Sequence, residues 1–272
     1  MIVDDAREGG ANAKYTTDIT WYITINTNPD GYVKSHNENR MWRKTTNTNT
    51  PAPCSGVDPN RNFDANWSGP GASSNPCSDT YYGPSAFSEK ESQAMADFLQ
   101  GLNPKAGFQK SVSNWPRLNN HFENPHLSPK HMLIFIHILN TGCFHMHIKG
   151  NNVLTTTNSC KCQKKSVTQS IQVNQDRVDD FLSCHLITLS SVHRKNFVYG
   201  DISTIIYPAS GSTADWAYDT ADIPCAYAPE LRDQGEYGFL IPENQIIPVA
   251  EEMYAGFITM ADQVLAGRCD NK

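Results

Sequence analysis

The sequence predicts an α/β domain, because segments typical of strands and of amphipathic helices both occur along one soluble chain. Residues 21–25 mix aromatic and β-branched side chains, which favours a strand. Ser88 and Glu91 have the spacing of a capping box, and the apolar residues after them predict a helix that ends near residues 103–104. The 272 residues suffice for one large core or two modest domains.

Turn and loop signals separate these elements. Residues 28–31 carry Asn, Pro, Asp and Gly and predict a turn, and the Thr- and Asn-rich run to residue 53 predicts a loop. Residues 208–212 predict a turn-rich, mobile loop.

The last third of the chain returns to strand and helix patterns. Residues 202–207 and 226–231 favour buried strands. A final helix should begin near Pro248 and end at Gly267. Its expected buried residues are Val249, Met253, Phe257, Met260 and Val264.

Composition and charge exclude several function classes. The formal net charge is −6, and 39% of the residues are hydrophobic, as in an ordinary globular protein. Nothing basic suggests nucleic acid, and no apolar run approaches the roughly 20 residues that a membrane helix needs. We therefore expect neither a nucleic-acid partner nor a membrane span.

The most informative stretch is residues 54–77. It contains two cysteines, a rigid Asp58-Pro59 step, and Asn60 beside Arg61. The planar guanidinium matches a carboxylate with two parallel charge-assisted hydrogen bonds, so the pair suits an anionic end group. An isolated Asn-Arg pair is more often part of a solvated surface turn.

Further motifs surround this stretch in a characteristic order. They lie at residues 27–32, 39–44, 207–216, 230–233 and 237–239. With this order and spacing they resemble the zinc metallocarboxypeptidases of the pancreatic A/B type. The resemblance covers about residues 20–105 and 196–265 and is absent between them.

The resemblance implies a fold and an activity. The fold is a mixed sheet of parallel and antiparallel strands with helices on both faces. Residues 1–272 would form a single incomplete catalytic domain that lacks the family's first strands. The activity is that of a monomeric enzyme that removes one residue from peptide or protein C-termini with one zinc ion.

The resemblance also assigns roles at the reaction centre. Glu230 is the general base, and Arg43 stabilises the oxygen that becomes negative during the reaction. Asn60 and Arg61 hold the substrate carboxylate, and Tyr207 caps the bound substrate.

The implied specificity pocket is apolar. Ala214 forms its floor, where basic-specific relatives carry an acid, so we expect a preference for apolar or aromatic C-terminal residues. Ile202 and Ile206 line the pocket, and Phe239 helps to wall the site.

The cysteines and the N-terminus point to different compartments. Cys54 and Cys77 lie where the family forms its disulfide, and disulfides persist in oxidising compartments. Residues 1–14 are polar and lack the apolar core of a secretory signal, which alone would indicate the cytosol. We expect an extracellular protein whose true start lies upstream of Met1.

Residues 107–195 differ in composition from the rest of the chain and contain eight of the nine His and four of the eight Cys. One interpretation is a metal-binding insertion, with soft ligands in the paired motifs at residues 145–147 and 160–162. A second is a divergent family segment in which residues 133–137 form a displaced strand and His137 a displaced zinc ligand. A third, which we favour, is translated non-coding sequence joined to family sequence at both ends.

The zinc site is the weak point of the family assignment. A catalytic zinc needs three protein ligands, and the family takes two of them from a His-x-x-Glu motif that occurs nowhere in this sequence. Only His137 is a candidate for the third. We expect the chain as written to be inactive or nearly so. The alternative function is a non-catalytic module that binds the C-terminal carboxylates of peptides.

Overall fold

The computed structural model describes residues 13–24, 26–48, 50, 53–102, 106–111, 131–137, 190–195, 197, 202–230, 236–237 and 240–270. Of residues 106–111 and 131–137 it describes the backbone alone.

Helices and strands follow one another along the chain. The strands are β1 (Thr20–Thr24), β2 (Ala106–Ser111), β3 (His131–His137) and β4 (Cys225–Tyr227). The helices are α1 (Lys14–Thr17), α2 (Pro29–Asn37), α3 (Lys90–Leu102), α4 (Ile202–Ile205), α5 (Thr213–Asp219) and α6 (Ile246–Leu265). Short 3-10 helices cover Pro59–Arg61 and Glu243–Gln245. No helix within the described ranges is both long and apolar enough to cross a membrane.

The four strands form one sheet in the order β1-β3-β2-β4, and every pairing between them is parallel. Thr20 pairs with His131 in β1 and β3, and Ala106 pairs with Cys225 in β2 and β4. The α/β class is therefore confirmed. The antiparallel strands of the expected mixed sheet are not among the strands described.

Helices pack on both faces of this sheet, as expected. Successive strand residues point to opposite faces. Trp21 and Tyr227 pack into the cluster beneath α6, whereas their neighbours Tyr22 and Ala226 pack into the cluster beneath α3 and α5. The sheet is thus the middle layer of three.

The layer under α6 is closed by a disulfide. Cys225 in β4 bonds to Cys269 just beyond α6, with a Cα–Cα distance of 5.6 Å. Both cysteines are buried with Tyr15, Met260 and Val264. The expected helix is present, but it begins at Ile246, two residues before Pro248, and Gly267 follows its end with a φ of +76°.

The opposite layer surrounds Trp216, which is 1% exposed. Phe63 and Phe87 contact its ring at centroid distances of 5.7 and 5.8 Å. Leu99 from α3 and Ile223 complete the buried centre. This layer joins α5 directly to the segment that follows Arg61.

Two helix starts differ from the sequence prediction. The predicted turn at residues 28–31 is instead the beginning of α2, where Asn28 Oδ1 accepts the N–H of Gly31 at 3.0 Å and Pro29 occupies the first turn. The predicted capping box at Ser88 was wrong, since α3 begins at Lys90. There the N–H of Glu89 donates to Asn62 Oδ1 at 3.1 Å, a partner distant in sequence.

Two predicted strands also differ. Residues 202–207 form α4 and a turn, in which the N–H groups of Ile206 and Tyr207 both donate to the carbonyl of Ile202. The β-branched composition that suggested a strand is only a weak preference, which tertiary context overrides. The strand predicted over 226–231 ends at Tyr227, so Glu230 follows the strand instead of lying within it.

Two strands fall in the central segment, residues 107–195. The strand that the divergent-segment interpretation expected at residues 133–137 is present as β3, and it pairs with both β1 and β2. His137 is its last residue, at the carboxyl edge of the sheet. The paired His and Cys motifs at residues 145–147 and 160–162 lie outside the described residues.

Candidate active site

The candidate site lies beyond the carboxyl ends of the parallel strands, where ligands bind in open α/β sheets. Glu230 follows β4 by three residues, and His137 ends β3 at the same edge. The side chain of His137 lies outside what the structure describes. Phe239, the expected wall of the site, also lies outside the described residues.

A disulfide brackets the loop that carries Asn60 and Arg61, the predicted carboxylate-binding residues. Cys54 bonds to Cys77, as the resemblance implied, with a Cα–Cα distance of 5.0 Å. The amine of Lys44 donates to the carbonyl of Pro76 at 2.6 Å and ties the far end of the loop to the body of the protein. Asp58 Oδ1 accepts the N–H of Asn60 at 3.0 Å and caps the 3-10 helix inside the loop. The loop is therefore anchored at several points.

Arg61 is buried and oriented by backbone oxygens. Its Nε donates to the carbonyl of Gly71 at 3.0 Å, and its Nη1 donates to the carbonyl of Asn60 at 2.8 Å. The guanidinium carbon lies 5.9 Å from the ring centre of Tyr207. The side chain is only 1% exposed, so its position depends on these neighbours more than on solvent.

Asn60 connects this loop to the start of α5. Its Oδ1 accepts the backbone N–H of Thr213 at 2.9 Å and the hydroxyl of Thr213 at 3.3 Å. Both contacts hold the Asn60 side chain against the start of α5. Thr213 begins α5, and Ala214, the predicted pocket floor, is the next residue and is buried.

The loop at residues 208–212 is held firmly against the Arg61 segment. The N–H and hydroxyl of Ser210 both donate to the carbonyl of Pro70, and the N–H of Gly211 donates to the carbonyl of Ala65. The N–H of Phe63 donates back to the carbonyl of Gly211. These backbone hydrogen bonds tie the loop to another part of the chain, and its mobility stays a prediction.

Arg43 is paired with a buried carboxylate. Its Nε and Nη2 both donate to Asp58 Oδ2, at 2.9 and 2.6 Å. Asp58 is 0% exposed, and the same oxygen lies 3.8 Å from Arg61 Nη1. Sequence analysis noted the Asp58-Pro59 step but gave Asp58 no electrostatic role. The sequence signal for such a role was that Asp58 precedes Arg61 by three residues, a spacing that is too common to interpret alone.

The charged groups of the site influence one another. Burial raises the pKa of Glu230, and the positive charge of Arg43 opposes this rise. Burial also raises the pKa of Tyr207, while Arg61 and Arg43 lower it and Glu230 raises it further. The structure thus brings Arg43, Arg61, Tyr207 and Glu230 into one electrostatic neighbourhood.

The other two predicted pocket residues lie in and just after α4. Ile202 opens α4, and Ile206 follows it immediately before Tyr207. Both are partly buried.

The second disulfide, Cys225 to Cys269, was not predicted from the sequence, since spacing alone does not define which cysteines pair.

The described residues do not fit a catalytic zinc ion. No three His, Cys, Asp or Glu side chains come together as a metal site in the described parts of the chain. The full sequence contains no His-x-x-Glu motif. Two of the charged groups of the candidate site are the guanidinium groups of Arg43 and Arg61, which bind anions and do not ligate metals.

Comparison with known proteins identifies relatives of this arrangement. The family described as "Zinc carboxypeptidase" matches residues 2–256. Mouse (Mus musculus) carboxypeptidase A2 is 38% identical over 238 residues, which are 88% of this chain and 46% of that protein. Bovine (Bos taurus) carboxypeptidase B is 36% identical over 239 residues, which are 86% of this chain and 46% of that protein.

A solved structure shows the same fold. The chain is similar to bovine thrombin-activatable fibrinolysis inhibitor, whose structure is in complex with tick carboxypeptidase inhibitor. The TM-score is 0.62 at 27% identity, over 89% of this chain and 68% of that chain. The chain spans about half the length of the curated relatives just named. The family match covers most of the chain, and the chain therefore belongs to the zinc carboxypeptidase family.

Proposed function

We propose that these residues form the carboxylate-recognition half of a metallocarboxypeptidase site that serves hydrolysis of the C-terminal peptide bond, and that the 272-residue chain as written is inactive or nearly so. The carrying observation is the shared neighbourhood of Arg43, Arg61, Tyr207 and Glu230 beside the Asn60 amide. Two guanidinium groups next to an amide N–H2 group suit a terminal carboxylate.

The specificity proposal rests on Ala214. It is buried at the start of α5, beside the Thr213 that holds Asn60. A methyl side chain leaves volume but no countercharge, so we infer a preference for apolar or aromatic C-terminal residues over Lys and Arg. Burying an unpaired ammonium costs several kcal/mol, whereas one apolar group differs from another by roughly 1 to 3 kcal/mol.

In a longer protein of this family, the same residues would serve hydrolysis of the C-terminal peptide bond. Glu230 would accept a proton from the attacking water and pass it to the leaving amine, and its raised pKa suits a group that must do both. Arg43 would stabilise the developing negative oxygen. The family implies zinc for this activity, and the disulfides support an extracellular location.

The second candidate function, a purely non-catalytic binding module, is favoured by one specific observation. The chain keeps the anion-binding groups while its sequence lacks the His-x-x-Glu motif. Recognition of a carboxylate by guanidinium and amide groups needs no metal.

Calorimetric titration of the full chain tests carboxylate recognition. The ligands are benzoyl-glycyl-phenylalanine and its C-terminal amide, which differ only in the terminal charge. We expect saturable binding of the acid and none of the amide at the same concentrations. Equal binding of both would contradict the proposal, because the site would then recognise the phenylalanine side chain and not the terminal carboxylate.

A further inference from the structure

The triplet Asn66-Trp67-Ser68 is the one place in the sequence where an asparagine stands two residues before a serine or threonine, with a residue other than proline between them. This pattern is the acceptor signal for N-linked glycans in proteins that enter the secretory pathway. The two disulfides are consistent with that route, since such bonds persist in oxidising compartments. The pattern is short and common, so its place in the fold decides whether it can carry a glycan.

The triplet lies in a surface turn of the loop between Cys54 and Cys77. Asn66 and Ser68, the two residues that define the signal, are both exposed. The carbonyl of Asn66 accepts the N–H of Gly69 at 3.1 Å and closes the turn. A bulky group attached to Asn66 would therefore extend from the surface without displacing packed side chains.

Trp67 anchors the triplet at its middle position. Its Nε1 donates to the carbonyl of Tyr82 at 3.0 Å, and the two rings meet edge to face with their centres 4.9 Å apart. The indole is thus directed toward the protein while the residue on either side of it is exposed. The turn is fixed in place with the acceptor asparagine outermost.

The amide of Asn66 can accept a sugar and keep its contact with the neighbouring loop. Its nitrogen donates to Ser210 Oγ at 3.3 Å. A primary amide carries two N–H donors, and N-glycosylation replaces one of them. The linked nitrogen therefore retains an N–H for Ser210, so the modification does not require the two loops to separate.

We propose, beyond the function above, that Asn66 is an N-glycosylation site. In the transfer, a bond forms between Asn66 Nδ2 and the anomeric carbon of an oligosaccharide that is linked to a lipid diphosphate. The lipid diphosphate leaves, and Nδ2 loses one proton. The attached glycan covers the outer side of the turn with a large hydrophilic group. No residue of the triplet belongs to the proposed recognition site.

Secretion of the full chain from eukaryotic cells, directed by an added leader peptide, tests the proposal. Peptide-N-glycosidase converts a glycosylated asparagine to aspartate, and mass spectrometry of treated and untreated samples locates the change. We expect enzyme-dependent conversion of Asn66 in the unmodified chain and in Ser68→Thr, which keeps the signal. Ser68→Ala removes the signal and should abolish the conversion. An unmodified chain in which Asn66 is not converted would overturn the proposal.

Asn62 offers a matched control for exposure, four residues before Asn66. It is 0% exposed, and its amide donates to two backbone carbonyls and a serine hydroxyl. The Asp64→Ser and Ser68→Ala double variant moves the only signal to Asn62, and both substituted positions are exposed. We expect no glycan on the secreted double variant, because a sugar on Asn62 would break these buried contacts. A glycan at Asn62 as abundant as that at Asn66 would contradict the importance of the exposed turn.

Retention of the chain inside the cells would not prevent the test. Glycans are attached as a chain enters the secretory pathway, so conversion of Asn66 can be measured in the membrane-enclosed fraction, where its absence would equally overturn the proposal. The assay does not measure peptide binding. A chain that carries the glycan but does not discriminate benzoyl-glycyl-phenylalanine from its amide would count against the proposed function alone.

Discussion

At the level of single residues, backbone carbonyls fix the position of the Arg61 guanidinium, the group that we propose binds a carboxylate. Arg61 is 1% exposed and bonds to the carbonyls of Asn60 and Gly71. Lysine cannot reproduce two directed contacts of this kind, because its ammonium is a point charge on a flexible stem.

Arg61→Gln should therefore weaken binding of benzoyl-glycyl-phenylalanine by about 2 kcal/mol, or roughly thirtyfold. The loss reflects a charge-assisted hydrogen bond, and calorimetry of the variant would measure it. Lys90→Gln removes an equal charge from an exposed position at the start of α3 and is the matched control. If both variants lose affinity equally, overall charge and not Arg61 attracts the ligand.

Ala214 governs the side chain that the pocket accepts. Ala214→Asp places a carboxylate at a buried position and should shift preference from benzoyl-glycyl-phenylalanine to benzoyl-glycyl-lysine, by roughly tenfold or more in the ratio of affinities. Ala214→Asn has the same size without the charge and should not improve lysine binding. A shift with both variants would show that volume, and not charge, sets the preference.

Glu230 makes a prediction about pH. Burial raises its pKa in the folded protein, so between the unfolded and folded pKa values the native state binds more protons than the unfolded state. Stability contributed at this site is therefore lost as pH rises through the folded pKa. Glu230→Gln should be more stable than the unmodified chain at neutral pH, and the difference should vanish in acid. Thermal unfolding across pH would measure it, and a constant difference at all pH values would contradict the assignment.

At the level of elements, Gly211 shows why the 208–212 loop cannot vary freely. Its φ is +77°, and a Cβ at this position would lie 2.3 Å from the carbonyl oxygen of Arg61. Only glycine avoids both the unfavourable backbone conformation and this contact. The loop and the Arg61 segment are in effect one unit, joined by backbone hydrogen bonds.

Gly211→Ala should lower the free energy of unfolding by at least about 2 kcal/mol and weaken carboxylate binding, because Arg61 must move. Gly101→Ala in α3 is the matched control. A Cβ added at Gly101 would meet no atom within 4 Å, so this change should stabilise the protein by about 0.5 to 1 kcal/mol. Denaturant titration of both variants would test this. Equal effects would show that the close approach at Gly211 is unimportant.

The contrast between elements explains what sequence could predict. Strand β1 and helices α3 and α6 carry strong local periodicity, and all three are present close to their expected positions. Helix α4 and the start of α2 were predicted wrongly. A β-branched composition is only a weak preference for a strand, and the Asn28 side chain donates to the carbonyl of Lys44, 16 residues away in sequence. The start of α3 likewise depends on Asn62, 27 residues earlier in the chain.

The candidate site shows the same division. The motif around Asn60 and Arg61 could be recognised because its residues are close in sequence. The contact between Asn60 and Thr213 spans 153 residues, and nothing in the local sequence indicates it. The pairing of Asp58 with Arg43 depends on distances between atoms, 2.9 Å to Arg43 Nε against 3.8 Å to Arg61 Nη1, which no pattern of letters encodes.

At the level of the whole molecule, the family fold carries a candidate recognition site, and the sequence contains no His-x-x-Glu motif. The sheet, its two helical layers and both disulfides hold the anion-binding residues in place. The described residues form no cluster of three metal-binding side chains. We therefore expect recognition and hydrolysis to be separable in this chain.

Hydrolysis of benzoyl-glycyl-phenylalanine by the purified full chain, with excess zinc and with or without a chelator, tests this claim most directly. We expect no chelator-sensitive release of phenylalanine, although the same preparation should bind the peptide. Chelator-sensitive release of phenylalanine at the rates of an active metallocarboxypeptidase would contradict it, because a complete zinc site would then have to exist within these 272 residues.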